Sequence, residues 1–308
     1  MTRLSFAVSD QVGQVEWQED VEAMILLDGN DGDADDSSLD AVLPPTRPFE
    51  LWTESKLLFN IALPAVAVQF SVLFIFPQTA SVVGRALGTE ALAGFSLGSL
   101  VGNLTCLSVM VGALTAADTL MPRAYGSHRY DELGRLAIRS VVVCSLLLLV
   151  PVVPLCTVME WIFDQLGQDD FASHLAAQWI KIYLIGVPSM LLFRVAQSFL
   201  NAQHQVWPMV YASVLSCFVL HPILLNILVP SMGFNGSSLA ISLTQWVMAI
   251  LVFVYLKIHP VQKAESWPGF STKYFLEAIS PRPMLKFISL SLGGVLSLSV
   301  RIHTDLLD

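Results

Sequence analysis

The sequence predicts an all-α membrane protein, and three observations predict it. Six apolar stretches run between Leu57 and Leu256, each about the length of a bilayer crossing and parted by short polar joints. A helix rises about 1.5 Å per residue, so roughly 20 apolar residues cross a hydrocarbon core of ~30 Å. Inside lipid, every backbone N–H and C=O must be satisfied within its own segment, which selects helices for stretches this long. The composition agrees, with 54% hydrophobic and 13% charged residues against the ~25% charged of soluble domains. Finally, Lys and Arg collect in alternate joints, as the positive-inside rule requires of a multi-pass chain.

The first 54 residues are expected to be an acidic, disordered cytoplasmic tail. Residues 1–56 hold 13 Asp+Glu and 3 Lys+Arg, and residues 57–308 hold 12 and 13, so the net charge of −9 resides in the tail. An acidic tail argues against nucleic acid as a partner. The run Asp28–Asp36 alternates carboxylates, but a calcium loop of the EF-hand kind needs a Glu at its twelfth position, where Leu39 or Val42 stands. Low apolar content instead favours disorder. No cationic stretch followed by an apolar core and a cleavage site begins the chain, so the first span is expected to serve as the targeting signal.

The membrane body is expected over residues 55–258, with spans at Leu57–Val83, Ala91–Met121, Ser140–Met159, Ile180–Leu200, Val206–Val229 and Leu239–Lys257. Residues 259–308 read as a cytoplasmic linker and the start of a seventh helix, because the run Phe287–Val300 has only 14 residues, too short to span. The joint after span two carries Arg123, Arg129, Arg135 and Arg139. The segment after span six carries Lys257, Lys263, Lys273, Arg282 and Lys286, while the opposite side has only Arg85 and Lys181. This places the N-terminus and the even joints in the cytoplasm.

Ionisable groups in membrane segments are costly and therefore point to function. Here they are Asp118 near the end of span two, Arg194 in span four and His221 in span five, with Gln69, Asn103, Gln197 and Asn226 as polar companions. Each also has a structural explanation: Asp118 could pair with Arg123 one turn on, Arg194 could snorkel to the cytoplasmic face, and His221 could satisfy the carbonyl freed by Pro222. No phosphate loop, HExxH helix or Ser–His–Asp set is written in the chain, so neither an enzyme nor a cofactor is expected. The cysteines, Cys106, Cys144, Cys156 and Cys217, lack metal-ligand spacing and read as packing residues. Gly94, Gly98 and Gly102 recur every four residues, a spacing for close helix approach. Pro64, Pro77, Pro151, Pro154 and Pro188 are expected to break helices at depth, as transporters do at their binding sites.

Four landmarks then carry a family resemblance. Val83–Gly94 (VGRALGTEALAG) resembles the joint between helices one and two of the multidrug and toxic compound extrusion (MATE) family. Ala117–Ser127 (ADTLMPRAYGS) resembles that family's signature closing helix two, Phe199–Gln203 (FLNAQ) the end of helix four, and Gly233–Ala240 (GFNGSSLA) the start of helix six. The match runs over roughly residues 55–300, and its wording is that of the eukaryotic branch. It departs at two places: Arg123 stands where the signature has Gln, and Thr79 where bacterial members place a carboxylate.

The resemblance implies six transmembrane helices forming one MATE lobe, with an incomplete seventh helix. In eukaryotic relatives, helix seven carries proton-coupling Glu residues eight positions beyond a motif that Leu290–Gly293 fills here, but the corresponding place is near Arg301 and no acid stands there. The chain therefore reads as one lobe, truncated. The implied function is export of organic cations or metabolites by antiport against H+ or Na+ across the plasma or vacuolar membrane. Gln69, Asn103, Asp118, Arg194, Gln197 and His221 are the expected cavity or gating contacts. The alternatives are a transport-inactive half-transporter, a membrane binding subunit or homodimer, and a six-span channel or receptor subunit. The last is disfavoured because no selectivity-filter sequence occurs.

Overall fold

The computed structural model describes residues 51–150, 152–165, 167–258, 280 and 284–295; the acidic tail and its alternating carboxylates, and Lys263, Lys273, Arg282 and Arg301, lie outside them. The chain divides into two units, Met1–Phe59 and Asn60–Asp308, and the second holds the site. Every described element is helical: α1 Leu51–Leu87, α2 Thr89–Gly126, α3 Tyr130–Leu149, α4 Val152–Thr157, α5 Met159–Gln165, α6 Asp170–Tyr183, α7 Val187–Ala202, α8 Trp207–Met232, α9 Phe234–Ile258 and α10 Met284–Val295. α2 and α8 each contain one π turn, at Asn103–Leu107 and Leu215–Leu220.

Four helices, α1, α2, α8 and α9, are long and apolar enough to cross a membrane, and α6 with α7 makes a fifth if the bent pair is one span. The protein is a multi-pass integral membrane protein. The expected third span, Ser140–Met159, is not one helix. α3 starts earlier, at Tyr130, and its first turns are charged, with Asp131 pairing to Arg135 at 3.2 Å and Glu132 to Arg129 at 3.0 Å. The apolar run that follows is divided near Pro151 into α3, α4 and α5. Arg135 and Arg139, expected in the joint, therefore sit on α3, where Arg139 is buried.

Prolines act differently at different depths. α1 continues through Pro64 and Pro77, contrary to the expected breaks. Pro188 does mark one: α6 and α7 meet at a 54° bend over 184–186, and the joined element begins ten residues before the expected Ile180. A proline leaves the carbonyl four residues earlier without its helical donor. Helix α9 supplies the surroundings that make the bend tolerable. Ser238 Oγ donates to Trp179 O (2.7 Å), Ser242 Oγ to Ile182 O (3.2 Å) and Trp246 Nε1 to Ile185 O (3.0 Å). These donors recur every four residues, so a single stripe of α9 lines the bend. Replacing Trp246 by Phe keeps the ring and removes one donor, and is expected to cost about 1 kcal/mol. Thermal unfolding of the purified protein in detergent checks this.

The expected glycine stripe is a packing device. A Cβ at Gly94 would stand 2.7 Å from Leu175 Cβ, at Gly98 3.2 Å from Ala176 O, and at Gly102 3.4 Å from Trp179, all on α6. Two tight joints depend on glycine for a different reason. Gly88 (φ +89) turns α1 into α2 and Gly233 (φ +63) turns α8 into α9, both in the left-handed region that side chains disfavour. The four cysteines are buried free thiols.

Candidate functional site

Two polar sites lie within the apolar unit. The first is a cavity of about 340 Å³ between α2 and α7, lined by Val111, Leu114, Asp118, Pro122, Arg194, Gln197, Ser198, Asn201 and Ala202. α7 presents Arg194, Gln197, Ser198 and Asn201 at the three- and four-residue spacings that put side chains on one helix face. Arg194 Nη1 donates to Gln69 Oε1 (3.0 Å) on α1 and to Gln197 Oε1 (3.2 Å) one turn along α7. Ser198 Oγ donates to Asp118 Oδ1 (2.6 Å) on α2. The expected pairing of Asp118 with Arg123 is absent, and Arg194 turns to the two amides instead of snorkelling to a helix end.

The second site is His221. The ring is fully buried, with Nε2 3.0 Å from Thr79 Oγ1 on α1 and Nδ1 2.9 Å from Thr244 Oγ1 on α9. The histidine therefore joins three helices through side chains and does not serve the carbonyl freed by Pro222. Its bonding has a consequence for protons. Thr79 already donates its single hydroxyl hydrogen to Ile75 O (2.9 Å), and Thr244 donates its own to Ala240 O (2.7 Å). A hydroxyl that keeps this backbone bond accepts from the ring, and one that turns to the ring donates to its unprotonated nitrogen. A neutral imidazole has one N–H, whereas an imidazolium has two.

Of the six residues singled out from sequence, Asp118, Arg194 and Gln197 line the cavity, and Gln69 joins them through its bond to Arg194. His221 stands apart at the three-helix junction. Asn103 is brought to neither: it opens the π turn of α2, with a buried Oδ1 that has no hydrogen-bond partner. Asn226 bonds to Pro222 O within its own helix (2.9 Å). Sequence reasoning missed Ser198 and Thr244, and noted Thr79 only as a missing carboxylate. Hydroxyl residues on apolar helices commonly bond their own backbone, so nothing in the one-dimensional pattern separates these three from the rest.

Comparison with known proteins agrees with this architecture. The MatE family model matches residues 64–228. The chain is 32% identical over 228 residues to Protein DETOXIFICATION 36 of Arabidopsis thaliana, covering 72% of this chain and 44% of that protein. It is 28% identical over 260 residues to Multidrug and toxin extrusion protein 2 of Oryctolagus cuniculus, covering 82% of this chain and 41% of the relative. Among solved structures, the eukaryotic MATE transporter AtDTX14 superposes with a TM-score of 0.71 at 24% identity, over 79% of this chain and 53% of that one. The chain thus spans about half the length of the proteins it matches. An all-helical unit with a broken span, matched by this family model over more than half of the chain, identifies it: the chain belongs to the MatE family of transporters.

Proposed function

We propose that this chain forms the N-terminal lobe of a secondary transporter that exports small organic molecules, organic cations and xenobiotics among them, in exchange for protons. Family membership and the names of its relatives support the extrusion reading. The cavity between α2 and α7 supplies a place for the substrate, at a volume within the range of small-molecule sites. Alternating access comes from rocking against a second lobe or a second copy. The N-terminus faces the cytoplasm of a plasma or vacuolar membrane.

The observation that carries the proton as coupling ion is the donor count at His221. Both ring nitrogens face hydroxyls that also reach a backbone carbonyl, so with the threonine hydrogens on those carbonyls a second ring proton completes the network. An imidazole held in this way gains or loses a proton as its surroundings open and close. Thr79 and Thr244 are the polar groups that face the ring from α1 and α9, and no carboxylate or cation pairs with it among the described residues. Sodium, a hard cation that takes oxygen ligands, gives no reason for an imidazole here.

α1 touches both sites. Gln69 and Thr79 are ten residues apart on one continuous helix, about 15 Å along its axis. A shift of α1 that loosens Thr79 from His221 therefore also moves Gln69 against Arg194, the reciprocal link that exchange requires.

The test is reconstitution of the chain in vesicles with ethidium as cargo and a pH gradient as the sole driving force. Ethidium moving against an inward proton gradient supports the reading. Movement indifferent to pH would remove proton coupling. Binding of ethidium without movement would favour the half-transporter or binding-subunit alternative.

A further inference from the structure

Arg194 and Asp118 line the same cavity with opposite charges and do not meet. No guanidinium nitrogen comes within 4.0 Å of an Asp118 oxygen, and neither residue makes any other ion pair among the described residues. Asp118 is exposed and Arg194 half-buried at the cavity, and opposite charges this near attract each other. Neutral groups hold them apart. Gln69 and Gln197 anchor one nitrogen of Arg194, from α1 and from α7, at 3.0 and 3.2 Å. Ser198, one turn from Arg194 on α7, donates to Asp118 Oδ1 at 2.6 Å. Both partners of the arginine are amide oxygens, which position the guanidinium without neutralising it. The remaining guanidinium N–H groups and the second carboxylate oxygen make no hydrogen bond among the described residues.

We propose that this cavity is a bipolar site whose substrates are zwitterionic, with a carboxylate or similar anionic group on Arg194 and an ammonium on Asp118. This rests on the extrusion reading above and narrows its substrate class. A ligand with both charges satisfies both residues at once, whereas a simple organic cation leaves Arg194 unpaired in the same cavity. Displacing water from Arg194 without pairing it is the more costly outcome. The guanidinium fork suits a planar carboxylate in particular, since it can donate two parallel N–H bonds to it.

The experiment uses three probes with a similar aromatic skeleton: phenylalanine (zwitterion), phenethylammonium (cation) and 3-phenylpropionate (anion). Each is titrated calorimetrically into the full chain in lipid nanodiscs. The bipolar site predicts that phenylalanine binds about tenfold or more tightly than either singly charged probe. Arg194→Gln should reduce phenylalanine to the level of phenethylammonium, and Asp118→Asn should reduce it to that of 3-phenylpropionate. Arg194→Lys, which keeps the charge and loses the fork, should recover only part of the loss. Circular dichroism and thermal unfolding confirm that each variant is folded.

Phenethylammonium binding as tightly as phenylalanine, or phenylalanine binding unchanged in Arg194→Gln, overturns the proposal. So does failure of all three probes to bind. The extrusion reading is judged separately: if the pH gradient still moves ethidium in any of these cases, only the bipolar site falls.

Discussion

Replacing His221 by leucine is expected to reduce pH-driven ethidium movement to the level of protein-free vesicles. The substitution is a clean one because of how the neighbours are bonded. Thr79 and Thr244 donate to the carbonyls of Ile75 and Ala240 within their own helices, and these bonds persist when the ring is gone. No buried donor is left without an acceptor, which is the usual reason that removing one partner is costly. Leucine also fills most of the fully buried space the ring vacates. Folding should therefore survive while the proton carrier is lost. Probe binding in the α2–α7 cavity, which His221 does not line, should persist in His221→Leu and lose its dependence on pH, because leucine holds the position uncharged throughout. Undiminished ethidium movement in His221→Leu would show that protons are carried elsewhere.

Valine at Gly186 is expected to have the largest structural effect of any single substitution considered. Gly186 lies in the bend between α6 and α7, and a Cβ there would stand 2.9 Å from Ser242 Cα and 3.0 Å from Ser242 Oγ. The nearest atom is backbone on α9, so it cannot rotate away, and α9 also holds the bend through Ser238, Ser242 and Trp246. Overpacking costs typically 1–3 kcal/mol, and a clash with backbone belongs at or beyond the upper end, about 3 kcal/mol or more. Because α7 carries Arg194, Gln197 and Ser198, a displaced bend should also weaken probe binding. Gly126→Ala is the control: a Cβ at Gly126 meets nothing within 4 Å, and alanine is the better helix former. Thermal unfolding of the two variants beside the wild type separates a packing effect from a generic glycine effect.

These two residues mark how far the sequence could be read. Hydropathy and length were enough for an all-helical membrane chain, because lipid imposes them on every spanning segment. The spacing of Gly94, Gly98 and Gly102 was enough for a close crossing, now seen against α6. The third span was misplaced because its helix begins in a charged turn, Asp131–Arg135, that a hydropathy reading assigns to a loop. The prolines were legible only in part, since the expected break at Pro188 is there and those at Pro64 and Pro77 are not. Pro64 and Pro77 lie inside an unbroken α1, while the bend before Pro188 depends on donors from α9, sixty residues away in sequence. At the sites, charge and amide chemistry singled out Gln69, Asp118, Arg194 and Gln197 without revealing their arrangement. Asn103 was chosen on the same grounds, and the π turn places it elsewhere. Thr79, Ser198 and Thr244 were out of reach because a hydroxyl's importance is set by what lies across the helix interface.

In the coupling proposed here, a proton on His221 and a substrate between Asp118 and Arg194 answer to the same helix, α1. The most direct measurement is proton release on ligand binding. The chain in weakly buffered nanodiscs is titrated with phenylalanine while bulk pH is followed, across a series of starting pH values. Release of up to one proton per bound probe is expected, with a maximum at an intermediate pH, and it should disappear in His221→Leu although the probe still binds. Binding without proton release at any pH, or release that persists in His221→Leu, would contradict it.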